Sequence, residues 1–184
     1  VLALGMLSAI RRALEFITER RTGHRMGIGS DGIARPFRIQ DIPAEVAKQL
    51  AASPFASRVK PGGTVAIGVG SRGISNIATI VRSVVAYFKS HGLRPHIFPA
   101  MGSHGAATAE GQADVLAHYG IIEETMGCPV ISRLDVVSLG NTAEGMEAFM
   151  DKTAFDSDGV MLIGRVKWHT DFSGGIESGL FKMM

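Results

Sequence analysis

Three apolar segments, separated by stretches with helical periodicity, constrain the fold of this chain more than any other feature. We predict β-strands at residues 64–69, 95–100 and 159–166, of which the last is the most apolar. Residues 74–91 place apolar side chains along one side of a long helix between the first two strands. Because strands that alternate with helices usually pair in parallel beneath them, we predict an α/β fold with a mostly parallel, helix-covered sheet.

The amino-terminal section has a different pattern from the rest. Residues 7–21 have the spacing of an amphipathic helix, and residues 22–38, which are rich in Gly and Arg, are predicted to form a loop. Residues 44–52 form a second helix, with Asp41 or Ile42 near its cap. The chain therefore divides into a helical section, residues 1–60, and an α/β core, residues 61–184.

The α/β core contains one further helix and several short strands. Thr108 caps a helix that runs to Tyr119, and Gly120 provides its stop. We interpret the core as a Rossmann-like, three-layer arrangement. We expect it to be part of a larger two-domain protein, with this chain ending inside its own functional site and inactive alone. Short strands are predicted at residues 129–132, 136–139 and 148–150.

Composition and charge argue against several classes of protein. The 184 residues are 46% hydrophobic, and 19 basic against 17 acidic residues leave a formal net charge of +2. Because adjacent basic residues occur only in short pairs among acidic ones, we expect no nucleic-acid binding. No apolar segment approaches the roughly 18 residues of a membrane span, and the one cysteine, Cys128, is interpreted as a small buried hydrophobe. We therefore expect a cytoplasmic protein with a small-molecule partner and no membrane, and leave homo-oligomerisation open.

A glycine-rich turn follows the first predicted strand. Residues 68–73 have the pattern G-x-G-x-x-G, in which N–H groups at a helix start approach a phosphate. Ser71 and Arg72 add donors there, and an anion site and a tight turn without a ligand explain the glycines equally well. A nicotinamide site also needs an acidic residue at the end of the next strand, and residues 98–101 contain none.

Histidines follow two of the predicted strands. His104 lies in a Gly-Ser-His-Gly sequence, and His169 follows the most apolar strand, between Lys167 and Asp171. A histidine at the carboxyl end of a strand can line a ligand crevice and act as an acid or a base. Lys182 is interpreted either as a nucleophile in a dry cavity or as a solvated helix lysine. No close set of His, Cys and carboxylate residues predicts a metal site within this chain.

Three of these motifs together resemble the amino-terminal domain of the nickel-pincer nucleotide-dependent lactate racemase family. They are GVGSRGISN at residues 68–76, GSHG at 102–105 and KWHTDFSGGIESGLFK at 167–182. The resemblance extends from about residue 41 to the end of the chain. It implies an isomerase, a racemase or epimerase, that acts on a 2-hydroxy acid such as lactate by reversible hydride transfer to a nickel-pincer nucleotide.

The resemblance also implies roles for individual residues. His104 and His169 match the two histidines that act as acid and base on opposite faces of the substrate, and Arg72 matches an arginine that binds the substrate carboxylate. Lys182 matches the lysine that carries the cofactor through a thioamide. The nickel-ligating histidine of the family would follow residue 184, so no metal ligand is expected within this chain. The glycine-rich turn would supply the other cofactor contacts, at Gly70, Ser71 and Gly73.

The chain departs from the best-known racemases beside the substrate. They have an acidic residue followed by Thr-Arg-Pro at the first turn, where residues 69–73 here are Val-Gly-Ser-Arg-Gly. The segment between His169 and Lys182 is also a few residues longer. These differences point away from lactate itself more than from the cofactor. Two alternatives stay open: a non-catalytic module that binds a nucleotide or an anion, and a nicotinamide-dependent dehydrogenase, which the missing acidic residue disfavours.

Overall fold

A computed structural model of the chain describes residues 27–28, 34–35, 39–71 and 74–164. The helix predicted at residues 7–21 lies outside these residues, as does most of the loop predicted at 22–38. Within that loop, two short strands pair antiparallel, β1 (Gly27–Ile28) and β2 (Ala34–Arg35). The elements that position the candidate site all follow residue 39.

A three-stranded parallel sheet lies at the centre of the fold. Its spatial order is β4 (Arg94–Pro99), β3 (Thr64–Val69) and β7 (Gly159–Ile163), so that β3 is the central strand. β3 and β7 are short, mainly apolar runs without strict alternation, which is typical of strands covered on both faces, whereas β4 begins with Arg94 and includes His96. The predicted α/β fold, with a parallel sheet flanked by helices, is confirmed at this level.

Neighbouring side chains of β3 are buried on opposite faces of the sheet. Val65, Ile67 and Val69 point into the larger apolar cluster, which contains the buried side of the helix at residues 77–90. Ala66 points into a smaller cluster with Phe98, Ala100 and Ala154. This period of two follows from the pleat of the strand, and it explains why an uninterrupted apolar run suits β3.

The helices begin and end largely where their caps predict. Asp41 caps the first long helix by accepting a hydrogen bond from Ala44 N at 2.9 Å. Thr108 caps another in the same way, accepting from Gly111 N at 3.0 Å. The helices are α1 (Ile42–Ala51), α2 (Phe55–Arg58), α3 (Ile77–Ser90), α4 (Ala109–His118), α5 (Glu123–Met126) and α6 (Lys152–Phe155), with a 3₁₀ turn at Gly105–Ala107.

The strand predicted at residues 129–132 forms only one parallel bridge. Val130 pairs with Ile97 on the edge of β4 that faces away from β3. Ile97 N donates to Pro129 O at 2.8 Å, and Ile131 N donates to Ile97 O at 2.8 Å. Pro129 has no N–H to extend this ladder. The chain therefore moves outward from β3 through β4 to Val130, and later returns to place β7 on the opposite side of β3.

The two later short strands form a hairpin rather than joining the parallel sheet. β5 (Val136–Asn141) and β6 (Glu147–Asp151) pair antiparallel, with an irregularity between Ser138 and Gly140. The sequence predicts both strands but does not indicate that they form a sheet of their own. The five residues that connect them, 142–146, are too few for the crossover that a parallel pair requires, and they suffice for a hairpin turn.

Candidate functional site

The candidate site lies at the carboxyl ends of the parallel strands. The loops that follow β3 and β4 leave the sheet side by side, because Ala100 N donates to Val69 O at 2.9 Å. The loop after β3 also contacts β7, because Gly70 N donates to Ile163 O at 2.9 Å. Residues predicted separately from two sequence motifs are thereby brought to one edge of the sheet, where α/β proteins bind their ligands.

Ser71 and His104 form the central contact of this site. The Ser71 hydroxyl is hydrogen-bonded to Nδ1 of the His104 ring, across the loops that follow β3 and β4. Ser71 is 7% exposed, and His104 is half-buried. A hydroxyl hydrogen-bonded to Nδ1 restrains the orientation of an imidazole ring.

The loop after His104 contains an unusual left-handed turn. Gly105, Ala106 and Ala107 all have positive φ, at 63°, 55° and 55°. An alanine in this conformation places Cβ too near the carbonyl oxygen and costs about 1–2 kcal/mol. Such strain persists only where neighbouring contacts hold the backbone, and it is commonly found beside functional groups.

A close contact between two glycines holds that turn against α4. A Cβ on Gly105 would lie 2.3 Å from the backbone carbon of Gly111, and a Cβ on Gly111 would lie 2.0 Å from Gly105 O. Both positions therefore exclude every other residue. The contact fixes the distance between the His104 loop and the first turn of α4, so the glycine after His104 has a structural reason in addition to its positive φ.

Two residues of the site were not anticipated from the sequence. Tyr119 Oη donates to Ser71 O at 2.5 Å, and Gln112 Nε2 donates to Gly102 O at 2.7 Å. From the sequence, Tyr119 is predicted only to end a helix. Gln112 did leave a signal, because a glutamine three and four residues before Val115 and Leu116 falls on the apolar side of the predicted helix.

The glycine-rich turn has more than one purpose. A Cβ on Gly68 would lie 2.5 Å from Leu162 Cδ2 and 2.8 Å from Phe98 Cζ, so packing across the sheet favours a glycine here. The N–H of Gly70 donates to Ile163 O, so Gly70 cannot donate it to a ligand. Because Gly70 has no side chain, a ligand can still approach its backbone closely. The amino end of α3 has no side-chain cap, because Asn76 adopts φ 59° and makes no capping hydrogen bond. Three residues separate the turn from the start of α3, and the first N–H groups of α3 have no acceptor within the helix.

Four of the predicted site residues lie outside the described part of the chain. They are Arg72 and Gly73 in the turn after β3, and His169 and Lys182 in the closing segment. The last part of the strand predicted at residues 159–166 also lies outside it, and β7 ends at Ile163 within it. The structure thus places Gly70, Ser71 and His104 together and leaves the other assignments as predictions.

Cys128 and His96, which both lie away from this site, have pKa values shifted by burial. Burial raises the pKa of the Cys128 thiol to about 11, with Lys89 acting in the opposite direction and Glu123 in the same one. Burial also lowers the pKa of His96, opposed by the charge of Asp151. Both shifts favour the neutral form, as expected for side chains that pack in the interior rather than react.

A cavity of about 570 Å³ lies elsewhere, at the amino end of the sheet. It is lined by Tyr87, His91 and Leu93 together with small or apolar residues of the segment 51–61, which are Ala51, Ala52, Ser53, Pro54, Ala56, Ser57, Val59 and Pro61. The ring of His91 stacks on that of Tyr87 with centroids 4.1 Å apart. Apart from His91 the named lining side chains carry no ionisable group other than the Tyr87 phenol, so the cavity offers little chemistry despite its size.

The described residues contain neither a group of candidate metal ligands nor a helix that could span a membrane. Among residues 27–28, 34–35, 39–71 and 74–164, no three His, Cys, Asp or Glu side chains are grouped as metal ligands. In the same residues, every helix is too short or too polar to cross a bilayer. Comparisons of the chain with protein-family models, with curated proteins and with solved structures found no match.

Proposed function

We propose that the chain is the amino-terminal domain of an isomerase that racemises or epimerises a 2-hydroxy acid with a nickel-pincer nucleotide. The observation that carries the proposal is the contact between Ser71 and His104 at the carboxyl ends of adjacent parallel strands. It supports an oriented histidine in the crevice where such a substrate would bind. The substrate class and the cofactor come from the sequence resemblance.

In this proposal, His104 exchanges a proton with the hydroxyl group of the substrate. Ser71 holds Nδ1, so Nε2 of His104 would accept the hydroxyl proton of one enantiomer as the C2 hydrogen leaves with its electron pair. His169, on the opposite face, would donate a proton to the resulting carbonyl oxygen as that hydrogen returns to the other face of C2, and the two histidines exchange roles for the other enantiomer. Arg72 binds the carboxylate through its two-pronged guanidinium group. The nickel-pincer nucleotide supplies the hydride acceptor, a task for which no protein side chain is suited.

The described residues are chemically suited to part of the cofactor. Its mononucleotide phosphate needs N–H and O–H donors, and the amino end of α3 offers N–H groups without a side-chain cap. Gly73 would let the phosphate approach, and Lys182 would provide the covalent attachment. Gly70 would contribute close approach rather than a donor, because its N–H binds Ile163 O.

The Rossmann-like, three-layer interpretation belongs to the same proposal. From the centre, the chain builds β3, then β4, then the bridge at Val130, and afterwards β7 on the opposite side of β3. In doubly wound folds, the ligand crevice lies where the order reverses in this way, which here is between β3 and β7. A second domain that completes the site, and a cytoplasmic location, are further parts of the proposal.

A non-catalytic anion-binding module is the second candidate. The uncapped amino end of α3 favours it, because this end would bind a phosphate whether or not His104 reacts. The nicotinamide-dependent dehydrogenase is weaker. The residues after β4 are Ala100, Met101 and Gly102, and none offers a carboxylate to a ribose hydroxyl.

Interconversion of enantiomers tests the proposed function. The protein is produced together with the cofactor-synthesis enzymes, and exchange of the C2 hydrogen between the two faces of 2-hydroxy acids, which interconverts their enantiomers, is followed by chiral chromatography. His104→Ala should slow this exchange by at least about 100-fold, because general acid–base catalysis contributes that much or more. Intact mass should show the nucleotide adduct on Lys182 with one nickel per chain.

The matched control is His91→Ala, which removes an exposed histidine directly after α3, at the amino end of the sheet. It should exchange at the wild-type rate. Full exchange in His104→Ala would remove this histidine from its proposed role. Phosphate binding without an adduct on Lys182, and without exchange of any 2-hydroxy acid, would instead establish the anion-binding module.

A further inference from the structure

Helix α4 contacts both loops of the candidate site with polar side chains from one face. Gln112, Leu116 and Tyr119 are spaced by four and three residues, so they lie along the same side of the helix. Leu116 is fully buried in the apolar core and anchors that side. The two polar residues lie on either side of it along the helix.

Each of the two polar side chains donates to the backbone of a different loop. Tyr119 reaches Ser71 O in the loop after β3, and Gln112 reaches Gly102 O in the loop after β4. Gln112 is 6% exposed, and a buried amide is costly unless it is hydrogen-bonded. The bond from its Nε2 to Gly102 O therefore stabilises the buried side chain as well as the loop. The carbonyls can only accept, which fixes the direction of both bonds.

We propose that Tyr119 and Gln112 are positioning residues that hold Ser71 and His104 in register. The inference rests on the proposed function for its catalytic consequence, and on the hydrogen bonds alone for its structural one. Tyr119 restrains the backbone of the residue whose hydroxyl orients His104. Gln112 restrains the start of the loop that carries His104, beside the contact of Gly105 with Gly111. Without these bonds, the two loops are free to separate at their tips.

Nuclear magnetic resonance of the histidine rings tests the structural part on the chain without cofactor. Ring ¹⁵N chemical shifts report which nitrogen of His104 carries the proton. Tyr119→Phe removes only the hydroxyl, and it should change the ring shifts of His104 while those of the other five histidines, apart from the adjacent His118, stay in place. Tyr87→Phe changes the only other tyrosine, at the amino end of the sheet, and should leave His104 unchanged.

The catalytic part is read from the loaded enzyme. Tyr119→Phe should lower kcat for C2 hydrogen exchange by about 10-fold, with KM for the 2-hydroxy acid within about twofold, because small misplacement of a reacting group costs mainly the chemical step. Gln112→Met, which keeps the volume and removes the donor, should act in the same direction. This second variant covers the case in which one substitution disturbs folding.

The outcomes separate this inference from the proposed function. If His104→Ala abolishes exchange but Tyr119→Phe and Gln112→Met change neither the His104 ring shifts nor kcat, the positioning role is overturned. If His104→Ala keeps full exchange, the proposed function fails. Altered ring shifts of His104 in Tyr119→Phe would then still support the positioning role of Tyr119. Equal changes in Tyr87→Phe and Tyr119→Phe would show a general effect on folding and would also overturn the inference.

Discussion

The two ends of the parallel sheet differ in what their loops contain. The carboxyl end holds Ser71 and His104 in hydrogen-bonded loops that α4 braces. The amino end holds the cavity of about 570 Å³, lined mainly by small and apolar side chains. At this end, Asp158 joins the starts of β7 and β3. Its carboxylate accepts hydrogen bonds from Thr64 N at 2.8 Å and from Thr64 Oγ1 at 3.0 Å.

This difference shows that topology, rather than empty volume, brings the polar groups of the candidate site together. At the amino end, hydrogen bonds join the starts of two strands and serve stability. At the carboxyl end, they orient a titratable ring and hold a strained backbone. A large cavity without suitably placed donors is therefore a weaker indication of function than a smaller set of convergent polar groups.

The largest expected effect is at the carboxyl end, where Gly105→Ala should destabilise the fold by about 3 kcal/mol or more. Its Cβ would meet the backbone of Gly111 and Gln112 at 2.3 and 2.4 Å, in addition to the cost of a positive φ. Gly102→Ala is the matched control, because its φ is 61° but nothing lies within 4 Å of the added Cβ. It should cost only about 1–2 kcal/mol.

Urea denaturation of both variants gives the two free energies of unfolding. The ring shifts of His104 should move in Gly105→Ala, since the loop must leave α4 to make room. Equal stability of the two variants would mean that the contact with Gly111 does not hold the loop, and the contrast between the ends of the sheet would lose its main support.

A smaller effect is expected from Cys128, near the last turn of α3. Burial raises its pKa from 9.0 to about 11, so the unfolded chain loses the thiol proton first as the pH rises. The stability from this neutral thiol is complete below pH 9.0 and is lost progressively up to about pH 11, by about 3 kcal/mol in total.

Comparison of the wild-type chain with Cys128→Ala isolates this contribution. Both proteins share the alkaline titration of lysine and tyrosine, so the difference between their unfolding free energies should decline with pH only across that window. A constant difference would contradict the raised pKa. The wild-type thiol should also react slowly with iodoacetamide at pH 8, by about 100-fold relative to the unfolded chain.

The smallest expected effect returns to the strained turn after His104. Ala106→Gly should raise the free energy of unfolding by about 0.5–1 kcal/mol, because relief of the left-handed alanine exceeds the added entropy of the unfolded chain. Ala117→Gly, on the exposed side of α4, should lower it by about 1 kcal/mol. Thermal unfolding distinguishes the two signs, and a loss of stability in Ala106→Gly would show that the turn is unstrained.

Local patterns were sufficient to predict most of the elements. The caps at Asp41 and Thr108 and the apolar run of β3 were assigned from neighbouring residues, and the structure confirms them. The short helices α2, α5 and α6 were missed, since four residues give too little periodicity to recognise. The strand at 129–132 was predicted too long, because a proline limits its ladder to one bridge.

The candidate site was predictable in its parts but not in its assembly. The sequence indicated Ser71 and His104 separately, each from the strand that precedes it. That the hydroxyl of one binds the ring of the other follows from the parallel register of β3 and β4. Tyr119 lies 48 residues from Ser71 along the chain, and no local pattern reports a contact over such a separation.

The sequence alone therefore determined the alternation of strands and helices, the helix caps and the polar residues at strand ends, because each depends on residues within a few positions of one another. Only the tertiary structure decided that β3 is central, that residues 136–151 form a separate hairpin, and that α4 braces both loops. Strand order, packing and side-chain hydrogen bonds between distant segments depend on the whole chain folding at once. The backbone supplies the parallel register, and α4 then holds its two loops together.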